Sequence, residues 1–274
     1  MSSKGSALAT PLDQSSPGSR RAGSRLVLLA APTQEIGAAR LAVAGADGEV
    51  RTIQLDRIKA GTRYEWDTMA GESQVPALVL GAAGRAFVVG ATGEPVAEVD
   101  LERLEVVYHE PRQERSLLTR FRNWLEPAAQ AKMPLIGGFR NGLWLGDGRI
   151  AVWGQDTVRV GPDRAETTPS GLHVIDTDGW TDRTIDAKAP HAAYAGGTLL
   201  VSYRGDGLTG FDPGGTRRYR LFAGQALGVV ATFESRAFVA FDHKPMHVLD
   251  ATTGRVLGTR RSYPRLLDAS FSGW

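Results

Sequence analysis

A short phrase is written five times along this chain: an apolar run, an Asp- or Gly-centred turn, then a second alternating run. Near the C-terminus it reads AFVAF from Ala237 to Phe241, followed by VLDATTGRVL from Val248 to Leu257. A repeat of this kind implies units that bury their faces only against neighbours, so architecture can be argued before any site is considered. The apolar runs begin near Leu41, Ala86, Ile150, Leu199 and Ala237, at intervals of 45, 64, 49 and 38 residues. All but one interval lie near the roughly 40–50 residues of a four-stranded propeller blade, and the long one implies an insertion.

The turns support the same reading. Ala46–Gly48 precedes Val50–Leu55, Asp100–Arg103 precedes Leu104–Tyr108, Asp176–Gly179 precedes Thr181–Ile185, and Asp212–Gly215 precedes Arg217–Leu221. Asp and Gly supply turn chemistry, and flanking β-branched and aromatic residues supply strands. The 33 glycines suit many tight turns better than a helical bundle. A further compact apolar run, Leu26–Leu29, reads as a buried strand.

The copy at Val248–Leu257 resembles the strand-turn-strand phrase of YVTN-type and quinoprotein-like β-propellers, in the wider WD40/YVTN-like repeat class. There an Asp and a Thr-Gly turn separate two outer strands. Residues 26–270 are compatible with such a fold, and the other copies are degenerate. The resemblance implies an all-β propeller, commonly of six to eight blades, against five clear ones in this chain. Three arrangements stay open: a ring of five or six blades closed with help from Leu26–Ala31 and Arg265–Leu267, an incomplete ring lacking N-terminal blades, and an assembly closed by a second chain.

Two segments depart from the repeat. Residues 1–24 are rich in Ser, Gly, Pro, Ala and Arg without periodicity and are expected to form a disordered basic tail, with the propeller domain over 25–274. Lys4, Arg20, Arg21 and Arg25 against Asp13 give the first 25 residues +3, so the rest of a chain of net charge +2 carries −1. The sequence pI near 9.0 therefore belongs to the tail, and nucleic acid is not an expected partner. The second departure is a predicted α-helix inserted at about 112–132. Leu117, Phe121, Trp124 and Leu125 share one face there, and Pro127 ends or kinks the helix.

Candidate chemistry is sparse. No cysteine is present, so disulfides and thiolate chemistry are excluded. His243 and His247 flank Pro245 in a turn rather than on one helix face, and Asp-rich turns lack the calcium-loop pattern, so no metal is expected. The resemblance raises a quinone cofactor, but Trp66, Trp124, Trp144, Trp153, Trp180 and Trp274 occupy unlike positions, so no cofactor is expected. The chain reads as a noncatalytic scaffold binding a protein or a small anionic ligand. The alternative is a propeller hydrolase or lyase acting on a small or carbohydrate-like substrate at the ring axis.

Ligand-binding candidates are Arg140, Trp153, His191, Tyr203 and Arg204, in or beside predicted inner strands. Partner-binding candidates are Arg115, Arg120, Arg122 and Trp124 on the basic insertion. No run of about 18 apolar residues suits a membrane span. The start Met1–Ser6 carries no leader-like apolar stretch, so the chain as written is expected in the cytoplasm, and a longer N-terminus with a signal would place it outside.

Overall fold

The computed structural model describes residues 19–22, 25–65, 70–114, 135–161, 164–203, 205–241 and 244–260, which are strand, turn and loop throughout. Five sets of four antiparallel strands follow one another along the chain. The first holds β1 (Ser19–Ala22), β2 (Arg25–Ala30), β3 (Ile36–Ala44) and β4 (Val50–Glu65). After β5 (Ala70–Val75) comes the second, β6 (Ala77–Leu80), β7 (Arg85–Val89), β8 (Val96–Asp100) and β9 (Glu105–His109). A short β10 (Arg112–Gln113) precedes the third, made of β11 (Leu135–Gly146), β12 (Arg149–Gly161), β14 (Leu172–Asp176) and β15 (Thr181–Asp186), with β13 (Arg164–Pro169) attached to β12. The fourth is β16 (His191–Ala195) to β19 (Arg217–Leu221) through β17 (Thr198–Tyr203) and β18 (Gly207–Phe211). The fifth is β20 (Leu227–Phe233), β21 (Arg236–Phe241), β22 (Lys244–Asp250) and β23 (Val256–Arg260).

The apolar runs are continuous because the strands that carry them are covered on both faces. In β7, Ala86 and Val88 pack with Val27, Leu41 and Leu55 of the first module, while Phe87 and Val89 pack with Ile150 and Val152 of the third. In β12 the alternate residues Ala151 and Trp153 turn to Leu199, Val201 and Phe211 of the fourth. Leu200 and Leu208 of the fourth face Ala237, Val239, Phe241 and Leu249 of the fifth. Successive side chains of one strand thus serve two neighbours. Four-stranded antiparallel modules joined face to face by apolar clusters are a propeller-type repeat.

The expected runs at Ala86, Ile150, Leu199 and Ala237 fall on the second strand of their modules. The one at Leu41 does not. It lies on the third strand, β3, and its module's second strand is β2, which contains Leu26–Leu29. Both strands are apolar, so composition alone placed the first copy one strand out of phase. Within the tail expected over 1–24, Ser19–Ala22 pairs with β2 through backbone bonds, which need no apolar side chains. The insertion expected at 112–132 opens as strand at Arg112–Gln113, and its predicted helix from Arg115 on lies outside the described residues.

A feature absent from the repeat links the first and third modules. β4 runs past Leu55 and makes a hairpin with β5, whose residues Ser73–Val75 pair parallel with Gly137–Phe139 of β11. β12 likewise runs on to pair with β13, giving one eleven-stranded sheet. Two glycines permit these close passages. Gly61 has φ 119° with a would-be Cβ 2.1 Å from the Glu35 carbonyl oxygen, and a Cβ on Gly154 would lie 1.8 Å from the Phe139 carbonyl oxygen.

The turn carboxylates bond to backbone. Asp100 Oδ1 accepts from the Glu102 and Arg103 amides, Asp176 Oδ1 from Asp178 and Gly179, and Asp250 Oδ1 from Thr252 and Thr253. These amides, Thr253 foremost, hold the Asp250 carboxyl below its ordinary 3.8. A depressed folded pKa stabilises above the unfolded value and is lost as pH falls through the lower folded one. Asp250→Ala is accordingly expected to lower the urea midpoint at pH 6, with the deficit against wild type shrinking below pH 3.8. A deficit independent of pH would contradict the turn assignment.

Candidate functional site

One end of the modules gathers the ends of their second strands and the starts of their first strands. The register sets Ala77 opposite Val89, Asn141 opposite Trp153, His191 opposite Ser202 and Leu227 opposite Phe241. Arg140, Trp153, His191 and Tyr203 therefore all come to this end, from the third and fourth modules. Arg204, Arg115, Arg120, Arg122 and Trp124 lie outside the described residues.

Arg140 is 4% exposed and its guanidinium is engaged on both arms. Nη1 donates to the Phe139 and Gln155 carbonyls at 3.0 Å each. Nη2 donates to Thr92 Oγ1 at 2.8 Å and to Asp156 Oδ1 at 2.7 Å, while Thr92 Oγ1 donates to Asp156 Oδ2 at 2.7 Å. The result is a closed ring of three side chains, in which both terminal nitrogens of the guanidinium, the Thr92 hydroxyl and both Asp156 oxygens are bonded. A buried charge survives only with such pairing.

Thr92 belongs to the loop Gly90–Pro95 between β7 and β8, and Glu94 of the same loop reaches the opposite way. Its carboxylate accepts from the Ala91 amide at 3.2 Å and from the Lys59 amide of β4 at 3.3 Å. Burial pushes the Glu94 pKa up, against the opposing pull of those amides and of the Lys59 and Arg140 charges. The loop thus grips the first module with Glu94 and the third with Thr92.

Trp153 is buried against Leu172, Leu199 and Val201, and Tyr203 joins the same cluster from the fourth module. The Tyr203 hydroxyl donates to Asp186, whose other oxygen accepts from the Lys188 amide at 2.8 Å. Burial first, then that carboxylate, raise the Tyr203 pKa, so the phenol stays protonated as the donor. His191 is surface-accessible and pairs with Ser202, the residue before Tyr203, and desolvation by the surrounding chain lowers its pKa. Trp153 and Tyr203 are brought together. Arg140 sits beside Trp153 along the sheet but is directed to Thr92 and Asp156.

Asp156, Thr92, Glu94 and Asp186 are essential to this arrangement and were not singled out by sequence reasoning. The available signal was polarity in the wrong place: Gln155-Asp156-Thr157 interrupts an otherwise apolar strand, and Thr92-Gly93-Glu94 loads a tight turn with side chains that bond in opposite directions. Among the described residues, no group of three or more His, Asp and Glu side chains is placed as a metal ion requires.

No protein-family model and no curated protein matches the chain. Similar solved structures include BamB from Moraxella catarrhalis, 13% identical over 92% of this chain and 60% of that one, with TM-score 0.43. Puromycin hydrolase is 17% identical over 90% of this chain and 40% of that one, TM-score 0.48. A nidogen/laminin complex is 11% identical over 87% of this chain and 76% of that one, TM-score 0.42. The chain spans 60% of the BamB structure's length and 40% of the puromycin hydrolase's.

Two outcomes follow from the buried ring and from Glu94. Asp156→Ala strands the Arg140 guanidinium without its anion and is expected to cost about 3 kcal/mol or more, whereas Arg140→Met with Asp156→Ala recovers part of the loss. A urea double-mutant cycle with no coupling would contradict the pair. For Glu94, a folded pKa raised above 4.5 gives stability that is present below that pH and lost as pH rises through the folded value. The urea midpoint of Glu94→Gln relative to wild type is therefore expected to be higher at pH 7 than at pH 4, and a flat difference would count against the burial of its charge.

Proposed function

We propose that the chain is a noncatalytic β-propeller scaffold, its five modules acting as blades, that binds a protein partner or a small anionic ligand. The observation that supports this reading best is the closed Arg140–Thr92–Asp156 ring. At the end of the modules where catalytic groups from several blades would converge, the most buried cation among the described residues already has acceptors in the fold on both terminal nitrogens. A catalytic arginine needs donors aimed at a position that substrate will occupy, and these are aimed at a carboxylate, a hydroxyl and two carbonyls. The tryptophan beside it is covered by leucine and valine, so its ring faces are not presented to a ligand.

Binding is then assigned to the segment that breaks the repeat. Between Pro111 and Lys132 lie Arg112, Arg115, Arg120, Arg122 and Lys132 against Glu114 and Glu126, on a chain whose remainder is near neutral. Loops and insertions mounted on a regular scaffold are common carriers of recognition. Arginine and tryptophan are residue types enriched in the centres of protein interfaces. Arg115, Arg120, Arg122 and Trp124 are the residues we assign to partner contact.

The test is a quantitative pull-down with the full chain and its Arg120→Glu/Arg122→Glu variant, with circular dichroism as the check on folding. Capture of the specific partner is expected to weaken at least about tenfold, as for loss of two central interface arginines. Undiminished capture by the folded variant would remove the insertion from the interface.

A further inference from the structure

At the root of the assigned binding segment, residues 109–114 cross from the second module to the outer edge of the third. β10 pairs parallel with β15, Arg112 opposite Thr181 and Gln113 opposite Asp182. Two backbone bonds fasten it: the Arg112 amide donates to the Trp180 carbonyl and the Glu114 amide to the Asp182 carbonyl, each at 2.8 Å. The residues offering these two carbonyls are also those whose side chains meet histidines. The His109 ring lies stacked on Trp180, centroids 3.5 Å apart and planes 6° apart, and Asp182 Oδ1 is 2.9 Å from His173 Nδ1.

The surroundings of His173 favour the cation. His173 has an acceptor at each nitrogen, the Asp182 carboxylate at Nδ1 and the Ser170 carbonyl at Nε2, 2.9 Å each. A neutral imidazole carries one N–H and would set its lone pair against the other acceptor; the imidazolium donates to both. Burial and the charge of Arg140 oppose protonation, Thr184 lies 3.5 Å from Nδ1, and Asp182 with Ser170 prevails, so the His173 pKa is raised above 6.5. His109 Nε2 is 3.0 Å from Glu98 Oε2, whose other oxygen is held by Arg85 at 3.2 Å. Its other face of contact is the π-surface of Trp180. The neighbouring Glu110 is turned to Arg57 of β4 at 2.7 Å, and Glu114 to Arg183 of β15 at 2.7 Å.

We propose that residues 109–114 form a pH-sensitive strap: protonated His173 holds it on the edge of the third module through Asp182, and its deprotonation loosens it. His109 meets Glu98 and stacks on Trp180, the second contact made only while the strap is seated. Protonated His173 fixes Asp182 by one oxygen and leaves the other to accept from Gln113 Nε2 at 3.3 Å. A histidine whose folded pKa is raised contributes stability fully present below 6.5 and lost as pH rises through the folded value, so the strap is firmest at mildly acid pH. The consequence for partner binding rests on the assignment of the 111–134 segment to recognition, whose root this strap is; the strap itself is read independently of it.

Hydrogen exchange on the full chain at pH 5.5 and pH 8, corrected for intrinsic rates, tests the strap without any partner. Protection of the Arg112 and Glu114 amides is expected to fall about two- to fivefold on raising the pH, the range for exposed charge pairs, while β21 amides keep theirs. In His173→Gln, which keeps a donor at the site but does not titrate, the two amides are expected to show equal protection at both pH values. Equal protection in wild type, or an undiminished fall in the variant, overturns the proposal. The pull-down phenotype of Arg120 and Arg122 has no bearing on either result.

Discussion

The architecture depends on double-sided burial of its middle strands. One residue of β7 or β12 faces the preceding module and the next faces the following one, so the second, third and fourth modules are each incomplete without both neighbours. At about 25 cal/mol per Å² of apolar surface, the aliphatic residues shared across each junction are the main stabilising term, and they are non-directional. Direction comes from the turns. Asp100, Asp176 and Asp250 hold consecutive amides and so fix where each strand reverses, which sets the register that keeps alternate residues aimed at alternate neighbours.

Upon this repeat the first three modules carry a second, polar form of connection. The loop Gly90–Pro95 bonds to Lys59 of the first module through Glu94 and to Arg140 and Asp156 of the third through Thr92. The same modules are joined in backbone by the β5–β11 pairing. Apolar junctions can slide at modest cost, whereas a ring of three satisfied polar side chains has one geometry and loses much when one member moves. The ring therefore serves position more than net stability.

How far the sequence spoke depended on which atoms carried each feature. AFVV, IAVWG, LLVSY and AFVAF were legible as strands because burial on both faces suppresses alternation, and the Asp turns were legible because their chemistry is local. The phase of the first copy was not, since β2 and β3 are both apolar and nothing in composition distinguishes a second strand from a third. The extension of β4 beyond Leu55 passes through Asp56-Arg57-Ile58, which reads as a turn, and its continuation is held by backbone groups that every residue possesses. Arg140 stood out only by its place in or beside a predicted inner strand, and its partners Asp156 and Thr92 stand 16 and 48 residues away, with no pattern to announce them.

The contrast between the two kinds of junction bears on where regulation is placed. Each module interface inside the repeat is stapled by many buried aliphatic contacts, and no single ionisation governs it. The strap at 109–114 is held by two backbone bonds, a stacked imidazole and surface ion pairs, each small, so its seating free energy lies near the low end of local stabilities within the molecule. A change of one proton is negligible against the first kind of junction and comparable with the whole of the second. It is the weakness of the strap, set beside the rigidity of the modules it bridges, that allows one histidine to act there and nowhere along the apolar junctions.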